Sequence, residues 1–141
     1  MGTLGTKTET PLNKSVYKNK EENLTTFEPS DLYEKLNFLV EEKISHLALE
    51  ASSHGIDQYR LDGVNFSGAV FTNLSHDHLD YHGNTENYFS TKKRLFTKVL
   101  KNNSAISINI DDIYGKKLYE ELKDHNHYII TFGQCSKADI K

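Results

Sequence analysis

The chain has 141 residues, 36% of them hydrophobic and 26% charged, which suits one soluble globular domain with a buried core. Its net charge of -3 at pH 7, with the lysines scattered among acids, offers no basic surface for nucleic acid. A single cysteine, Cys135, excludes an internal disulfide and agrees with a reducing compartment. No stretch has the character of a membrane span or a signal peptide, so we expect a cytoplasmic protein.

The first third of the chain predicts loops, a helix and a strand. Glycine, proline and polar runs dominate residues 1–31, which indicates loops and short strands. Ser30 or Asp31 can cap a helix that ends near Lys43. Its apolar positions repeat at helical spacing and are Leu32, Leu36, Leu39 and Val40. Residues 44–49 follow as a predicted buried strand.

Strands and helices alternate in the rest of the chain. The predicted elements, in chain order, are strand 68–74, helix 85–100, strand 105–110, a helix starting at Asp111 or Asp112, and strand 128–132. This alternation predicts an α/β fold with a mostly parallel sheet flanked by helices.

Two chemically dense motifs follow predicted strands. Residues 50–55 read EASSHG, with Arg60 shortly after, and residues 73–83 read NLSHDHLDYHG, with Tyr88 and Lys92 after them. In a parallel sheet, ligands bind at the carboxyl ends of the strands. Carboxylate, hydroxyl and imidazole groups at two such ends therefore indicate a site for an anion and a metal ion.

Taken singly, these residues also have ordinary structural interpretations. Glu50 is either a Mg²⁺ ligand or a solvated glutamate at the end of a strand. Ser52 fits a plain turn as well as it fits a binding loop. Lys92 fits the solvated face of a helix. The Asp77-His78 pair is a weak signal for a metal-dependent phosphohydrolase.

Together, the motifs resemble the central ATP-binding domain of the Mur ligases, and most closely the UDP-N-acetylmuramoyl-tripeptide synthetase (MurE) type. The resemblance runs over essentially the whole chain. It is carried by EASSHGIDQYRLDGVNFSGAVFTNLSHDHLDYHG, ENYFSTKKRLF, SINIDDIYG, GTLGT and LTTFEPSDLYEKL. It implies a P-loop-type α/β domain.

The resemblance also implies a reaction. Such enzymes are ATP-dependent amide-bond ligases of peptidoglycan precursor synthesis. They add the third amino acid, meso-diaminopimelate or lysine, to UDP-N-acetylmuramoyl-dipeptide through an acyl phosphate. ATP and Mg²⁺ are the implied cofactors, and neither nucleic acid nor a membrane is an implied partner.

Family positions can be carried over to individual residues of this chain. The resemblance implies that Glu50, His78 and Lys92 are metal ligands, with Lys92 carbamylated and both His78 and Lys92 catalytic. Asn109 matches a position near the nucleotide base. The implied contacts to the UDP-muramoyl substrate are Thr25, Thr26, Ser52, Gln58 and Arg60.

In the family, a phosphate-binding Gly-Lys-Thr/Ser loop precedes the segment that starts here at Met1-Gly2-Thr3. We therefore expect residues 1–141 to be a partial central domain, inactive alone, without that loop and without the N-terminal uridine-binding and C-terminal domains. The alternatives are a relative of folylpolyglutamate or cyanophycin synthetases, a metal-dependent phosphohydrolase, or a non-catalytic remnant that binds UDP-muramoyl peptide or a partner domain.

Overall fold

The computed structural model describes residues 1–3, 6–9, 14–17, 24–135 and 137–141. The chain divides into two compact units, residues 1–62 and residues 63–141. Across the described ranges, no helix is both long enough and apolar enough to cross a membrane.

The first unit holds a two-stranded hairpin and two helices. Strand β1 (Thr6–Glu9) pairs antiparallel with β2 (Lys14–Tyr17), which agrees with the short strands predicted near the start. Helix α1 spans Pro29–Glu41 and buries Leu32 and Leu39, two of its predicted apolar positions. Helix α2 is a short helix, Ser53–Asp57.

The predicted cap of α1 is wrong, because the helix begins before Ser30 and Asp31. Glu28 occupies the N-cap position without a side-chain capping bond, and Pro29 is the first helical residue. Proline suits this position because its fixed φ is already helical and the missing N–H would be unpaired there anyway. The helix therefore starts at its proline.

The predicted buried strand at residues 44–49 is also wrong. These residues form no strand, and Leu47 is 40% exposed. The backbone at Ala48 and at the following Glu50 makes hydrogen bonds with the chain start: the Met1 amino group donates to the Ala48 carbonyl (2.8 Å), and the Glu50 N–H donates to the Met1 carbonyl (2.9 Å). An apolar run becomes a strand only where a neighbour supplies a full ladder of hydrogen bonds.

The second unit contains a parallel sheet with strand order β3-β4-β5, which confirms the predicted α/β fold. The strands are β3 (Gly68–Phe71), β4 (Ala105–Asn109) and β5 (Tyr128–Phe132). The helices are α3 (Leu79–His82), α4 (Thr85–Arg94), which continues as a π-helical turn over Leu95–Val99, and α5 (Ile113–Leu122).

One face of this sheet forms the core of the second unit. Phe71 pairs with Ile108 in the ladder, so both side chains point to the same face, and both are buried. The Phe96 ring contacts the Phe71 ring edge to face, with centroids 6.1 Å apart. Leu118 and Leu122 of α5 are fully buried. This packing fixes the carboxyl end of the sheet, where the loops of the candidate site begin.

A glycine lets α5 approach the end of β4 closely. A Cβ atom on Gly115 would overlap the carbonyl oxygen of Asn109 and lie 3.0 Å from its carbonyl carbon. We expect Gly115→Ala to lower the free energy of unfolding by about 1–3 kcal/mol through this overpacking, although alanine favours helix by about 1 kcal/mol. Urea denaturation monitored by circular dichroism measures the change. Lys116→Ala on the exposed side of the same helix is the control, and a Gly115 variant as stable as that control would contradict the prediction.

Candidate substrate and metal site

A buried threonine hydroxyl lies at the centre of the candidate site in the first unit. Thr26 is 3% exposed, and its Oγ1 donates to the Glu50 carbonyl (3.0 Å). The same oxygen accepts hydrogen bonds from the Ser52 N–H (2.9 Å) and the Ser52 hydroxyl (3.0 Å). One donor and two acceptor positions of the hydroxyl are thus all used. Thr26 therefore ties the loop before α1 to the EASSHG motif.

Ser52 connects this hydroxyl to the start of α2. It is the N-cap residue, and its Oγ accepts a hydrogen bond from the Gly55 N–H at 3.1 Å. A Cβ atom on Gly55 would lie 2.6 Å from the Cβ of Thr26. The motif needs a glycine at this position because α2 packs directly on the threonine.

Arg60 is held by protein groups on several sides. It is 9% exposed, and its Nη1 donates to the Thr26 carbonyl at 2.9 Å. Its Nη2 donates to Gln58 Oε1 and forms an ion pair with Glu28 at 2.8 Å. The guanidinium therefore joins the loop before α1 to the turn after α2. In this structure, Arg60 holds these two loops together.

Thr3, which the sequence did not single out, contacts the Glu50 carboxylate. Glu50 Oε2 accepts hydrogen bonds from the Thr3 N–H (2.6 Å) and the Thr3 hydroxyl (2.7 Å). The Thr3 hydroxyl also lies 3.2 Å from that of Thr25. A Cβ atom on Gly2 would lie 2.6 Å from Glu50 Cδ, so the glycine makes room for the carboxylate. Thr3 lies within the GTLGT phrase, the one sequence signal that could have identified it.

The hydrogen bonds of the first unit bring together every residue there that the family resemblance implies. Glu50 connects through Thr3 to Thr25, and its backbone connects to Thr26. Thr26 in turn connects to the other three residues through direct or shared hydrogen bonds, and these are Ser52, Gln58 and Arg60.

We expect Thr26→Val to destabilise the first unit. Valine keeps the volume but leaves the Ser52 N–H and the Glu50 carbonyl without the hydroxyl that pairs them, and a buried unpaired polar group costs about 1–3 kcal/mol. Hydrogen exchange at the Ser52 and Gly55 amides, with urea denaturation, measures the loss. Thr25→Val at the neighbouring, half-buried threonine is the control. Equal stability of the two variants would argue against the prediction.

In the second unit, His78 lies in the loop between β3 and α3. Its backbone is left-handed, with φ of 55°, a conformation that is uncommon for residues other than glycine. The Asp77 carboxylate accepts a hydrogen bond from the His78 N–H at 2.9 Å and lies 3.8 Å from His78 Nε2. The imidazole is 43% exposed. It is therefore positioned by its neighbours yet accessible to a ligand.

Two aromatic rings, those of Tyr88 and His82, pack beside His78. The Tyr88 ring contacts the His78 ring edge to face (5.9 Å between centroids, 87° between planes) and stacks on the His82 ring (5.1 Å, 18°). Tyr88 and His82 are 6% and 8% exposed. Burial, with a smaller contribution from the Asp77 charge, raises the pKa of Tyr88. The sequence analysis assigned no role to either ring.

The other two predicted site residues of the second unit, Lys92 and Asn109, lie on α4 and at the end of β4. Lys92 is half-buried and lies four residues after Tyr88, so the two share a face of α4. Asn109 ends β4, and its Oδ1 accepts a hydrogen bond from the Asp111 N–H at 2.9 Å. Because the strands are parallel, the loops that carry Asn109 and His78 leave the same edge of the sheet.

Two aspartates after β4 fix the loops at this edge. The Asp111 carboxylate accepts hydrogen bonds from the backbone N–H groups of Gln134 (2.6 Å) and Cys135 (3.0 Å), which lower the pKa of Asp111. Asp112 caps α5 and also accepts a hydrogen bond from the Leu74 N–H at 3.3 Å. Asp112 thereby ties the loop that leads to His78 to the start of α5.

Of the predicted metal ligands, Glu50 fits Mg²⁺ by the chemistry of its donor atoms, because Mg²⁺ prefers carboxylate oxygens. Within the described part of the chain, no three His, Cys, Asp or Glu side chains cluster as a ready metal site. Mg²⁺ does not require such a cluster, because it is commonly held by one or two carboxylates together with water and phosphate oxygens. Glu50, in the first unit, supplies one carboxylate of this kind.

Comparison with known proteins decides the family. The profile described as the Mur ligase middle domain matches residues 1–141. The chain belongs to the Mur ligase family. This Mur ligase domain is 41% identical over 116 residues to the UDP-N-acetylmuramoyl-L-alanyl-D-glutamate–2,6-diaminopimelate ligase of Alkaliphilus oremlandii, covering 82% of the chain and 23% of the relative. It is 43% identical over 109 residues to the ligase of the same name from Fusobacterium nucleatum, covering 77% of the chain and 22% of the relative.

A solved structure supports the same family. It is described as UDP-N-acetylmuramoyl-L-alanyl-D-glutamate–2,6-diaminopimelate ligase and matches with a TM-score of 0.72 and 31% identity. The match covers 94% of the Mur ligase domain described here and 27% of that chain. The chain thus spans about a quarter of the length of the relatives it matches.

Proposed function

We propose that this Mur ligase domain serves the ATP-dependent addition of the third amino acid to UDP-N-acetylmuramoyl-dipeptide during peptidoglycan precursor synthesis, in the cytoplasm. The amino acid is meso-diaminopimelate or lysine, and the names of the relatives favour diaminopimelate. The observation that carries the proposal is the hydrogen-bonded arrangement of Glu50, Thr26 and Ser52, the residues that such a ligase would need together.

In this proposal the first unit binds the UDP-muramoyl substrate. Thr25, Ser52 and Gln58 offer hydroxyl and amide groups for its polar atoms. Arg60 keeps their loops in place through the Thr26 carbonyl and adds positive charge near an anionic substrate. A rigid binding loop favours catalysis because it holds the reacting carboxylate in one position.

Glu50, His78 and Lys92 would hold Mg²⁺, with Lys92 as a carbamate. Mg²⁺ would offset the negative charge where the substrate carboxylate meets the polyphosphate of ATP. Carbamylation reverses the charge of Lys92, which as an ammonium would repel the metal ion. Asn109, at the carboxyl end of β4, would contact the nucleotide base.

The proposed function also requires domains and a phosphate-binding loop beyond residues 1–141. A uridine-binding domain and an amino-acid-selecting domain would flank residues 1–141 in a working ligase, and a phosphate-binding Gly-Lys-Thr/Ser loop would precede Met1. Sequencing the DNA on both sides of the coding region tests this directly. An in-frame phosphate loop upstream would support the ligase, and stop codons on both sides would contradict it.

The reaction is tested with the protein translated from the entire reading frame that contains this chain. Phosphate release is measured with ATP, Mg²⁺, UDP-N-acetylmuramoyl-dipeptide and diaminopimelate, and each component is then omitted in turn. A ligase releases phosphate only when all are present. Release without any amino acid would point to a phosphohydrolase. Substrate binding without turnover would leave a non-catalytic binding domain.

A further inference from the structure

The rings of Tyr88 and His82 have no role in the proposed reaction, yet Tyr88 contacts a proposed metal ligand and His82 stacks on Tyr88. His78 is left-handed at the backbone and 43% exposed at the side chain, so part of its imidazole is accessible to a ligand. The Tyr88 ring, which is almost fully buried, meets it edge to face. A buried ring is a stable surface against which an exposed ring can be oriented.

His82 also packs against Tyr88. Its ring stacks on Tyr88 with an angle of 18° between the planes. The backbone of His82 is itself fixed, because its carbonyl accepts a hydrogen bond from the Asn87 side chain at 3.0 Å. Asn87 belongs to α4, the helix that also carries Tyr88 and Lys92. Tyr88 and His82 are thus both tied to the helix that carries Lys92.

We infer that Tyr88, braced by His82, is a positioning residue that holds the His78 imidazole toward the face of α4 that carries Lys92. The inference rests on the proposed function, because it assumes that His78 and Lys92 bind one metal ion. The Tyr88 ring touches His78, and Lys92 follows Tyr88 by one helical turn on the same face. Residues that orient a metal ligand commonly change metal affinity by about 10–100-fold when they are replaced.

The test compares Tyr88→Leu, which removes the ring, with Tyr88→Phe, which keeps it. The His78 ring signals are followed by NMR in the full chain, first without metal. We expect them to shift in Tyr88→Leu, because the ring current of Tyr88 is lost, and to stay near the wild-type position in Tyr88→Phe. Phe89→Leu is the matched control, since Phe89 is the neighbouring buried ring of α4 and contacts Tyr114.

Mn²⁺, which suits the same oxygen-rich sites as Mg²⁺, is then titrated while the broadening of the His78 signals is recorded. We expect Tyr88→Leu to weaken Mn²⁺ binding about 10–100-fold, with Tyr88→Phe and Phe89→Leu close to wild type. His82→Ala is the second variant; it keeps the Tyr88 ring but removes the ring stacked on it, so it should also shift the His78 signals and weaken Mn²⁺ binding.

The two readouts separate the inference from the proposed function. Unchanged His78 signals and Mn²⁺ affinity in both Tyr88→Leu and His82→Ala would overturn the positioning role, even if the wild-type chain binds the metal at His78. Absence of Mn²⁺ broadening at His78 in the wild-type chain would instead overturn the metal-ligand role of His78, and the inference with it. In that case the ring-dependent shift in Tyr88→Leu would still be present.

Discussion

Replacing Lys92 with alanine should remove most of the ligase activity of the protein translated from the entire reading frame. We expect a loss of roughly 100-fold to 1000-fold in kcat, because the variant lacks a negatively charged group that would help to hold charge-neutralising Mg²⁺ in the transition state. Added formate or acetate should restore part of the rate by supplying a carboxylate. Phosphate release with the complete set of substrates measures both effects.

Lys93 provides the matched control for Lys92. It is the next residue of α4, and its ammonium forms a half-exposed ion pair with Glu121 at 2.7 Å. Lys93→Ala should therefore leave the rate nearly unchanged, since such pairs contribute little. Bicarbonate labelled with ¹³C should give a carbamate signal in the wild type and in Lys93→Ala, but not in Lys92→Ala. Full activity of Lys92→Ala would refute the carbamate assignment.

The sequence predicted the parts of the fold that depend on local pattern. Strand 128–132 and the helix over Ile113–Leu122 were predicted because periodicity and turn residues define them locally. Residues 44–49 were predicted wrongly because they carry the apolar pattern of a strand without the neighbouring ladder that would make them one. The start of α1 was predicted from a capping side chain, Ser30 or Asp31, but the helix begins at Pro29, whose fixed φ already suits the first helical position.

The sequence named candidate residues for the site but did not show how they are arranged. The family motifs pointed to Thr26 and Arg60, but no sequence pattern shows that the Thr26 carbonyl accepts a hydrogen bond from Arg60 across 34 positions of the chain. The stacking of His82 on Tyr88 likewise depends on how α3 and α4 pack. Such contacts depend on tertiary structure, so spacing along the sequence cannot reveal them.

Because Arg60 is buried, we expect Arg60→Lys to lower the stability of the protein substantially. Lysine keeps the charge but lacks the planar fork that reaches the Thr26 carbonyl and Gln58 together. We expect the free energy of unfolding to fall by about 2–3 kcal/mol, chiefly from the lost charge-assisted hydrogen bond to the Thr26 carbonyl. The ion pair with Glu28 adds little to this figure because Glu28 is 49% exposed. Urea denaturation of the full chain measures the change.

Arg60 can either contact the substrate or hold the surrounding loops in place, and Glu28→Gln helps to separate these two roles. It removes the ion pair but leaves the hydrogen bond from Arg60 to Thr26, so it should cost well under half of what Arg60→Lys costs. If Arg60 served only to contact the substrate, Arg60→Lys would be as stable as the wild type and would lose affinity for UDP-N-acetylmuramoyl-dipeptide alone. Loss of stability together with loss of affinity would mean that Arg60 supports substrate binding by holding its loops in place, as its three protein contacts indicate.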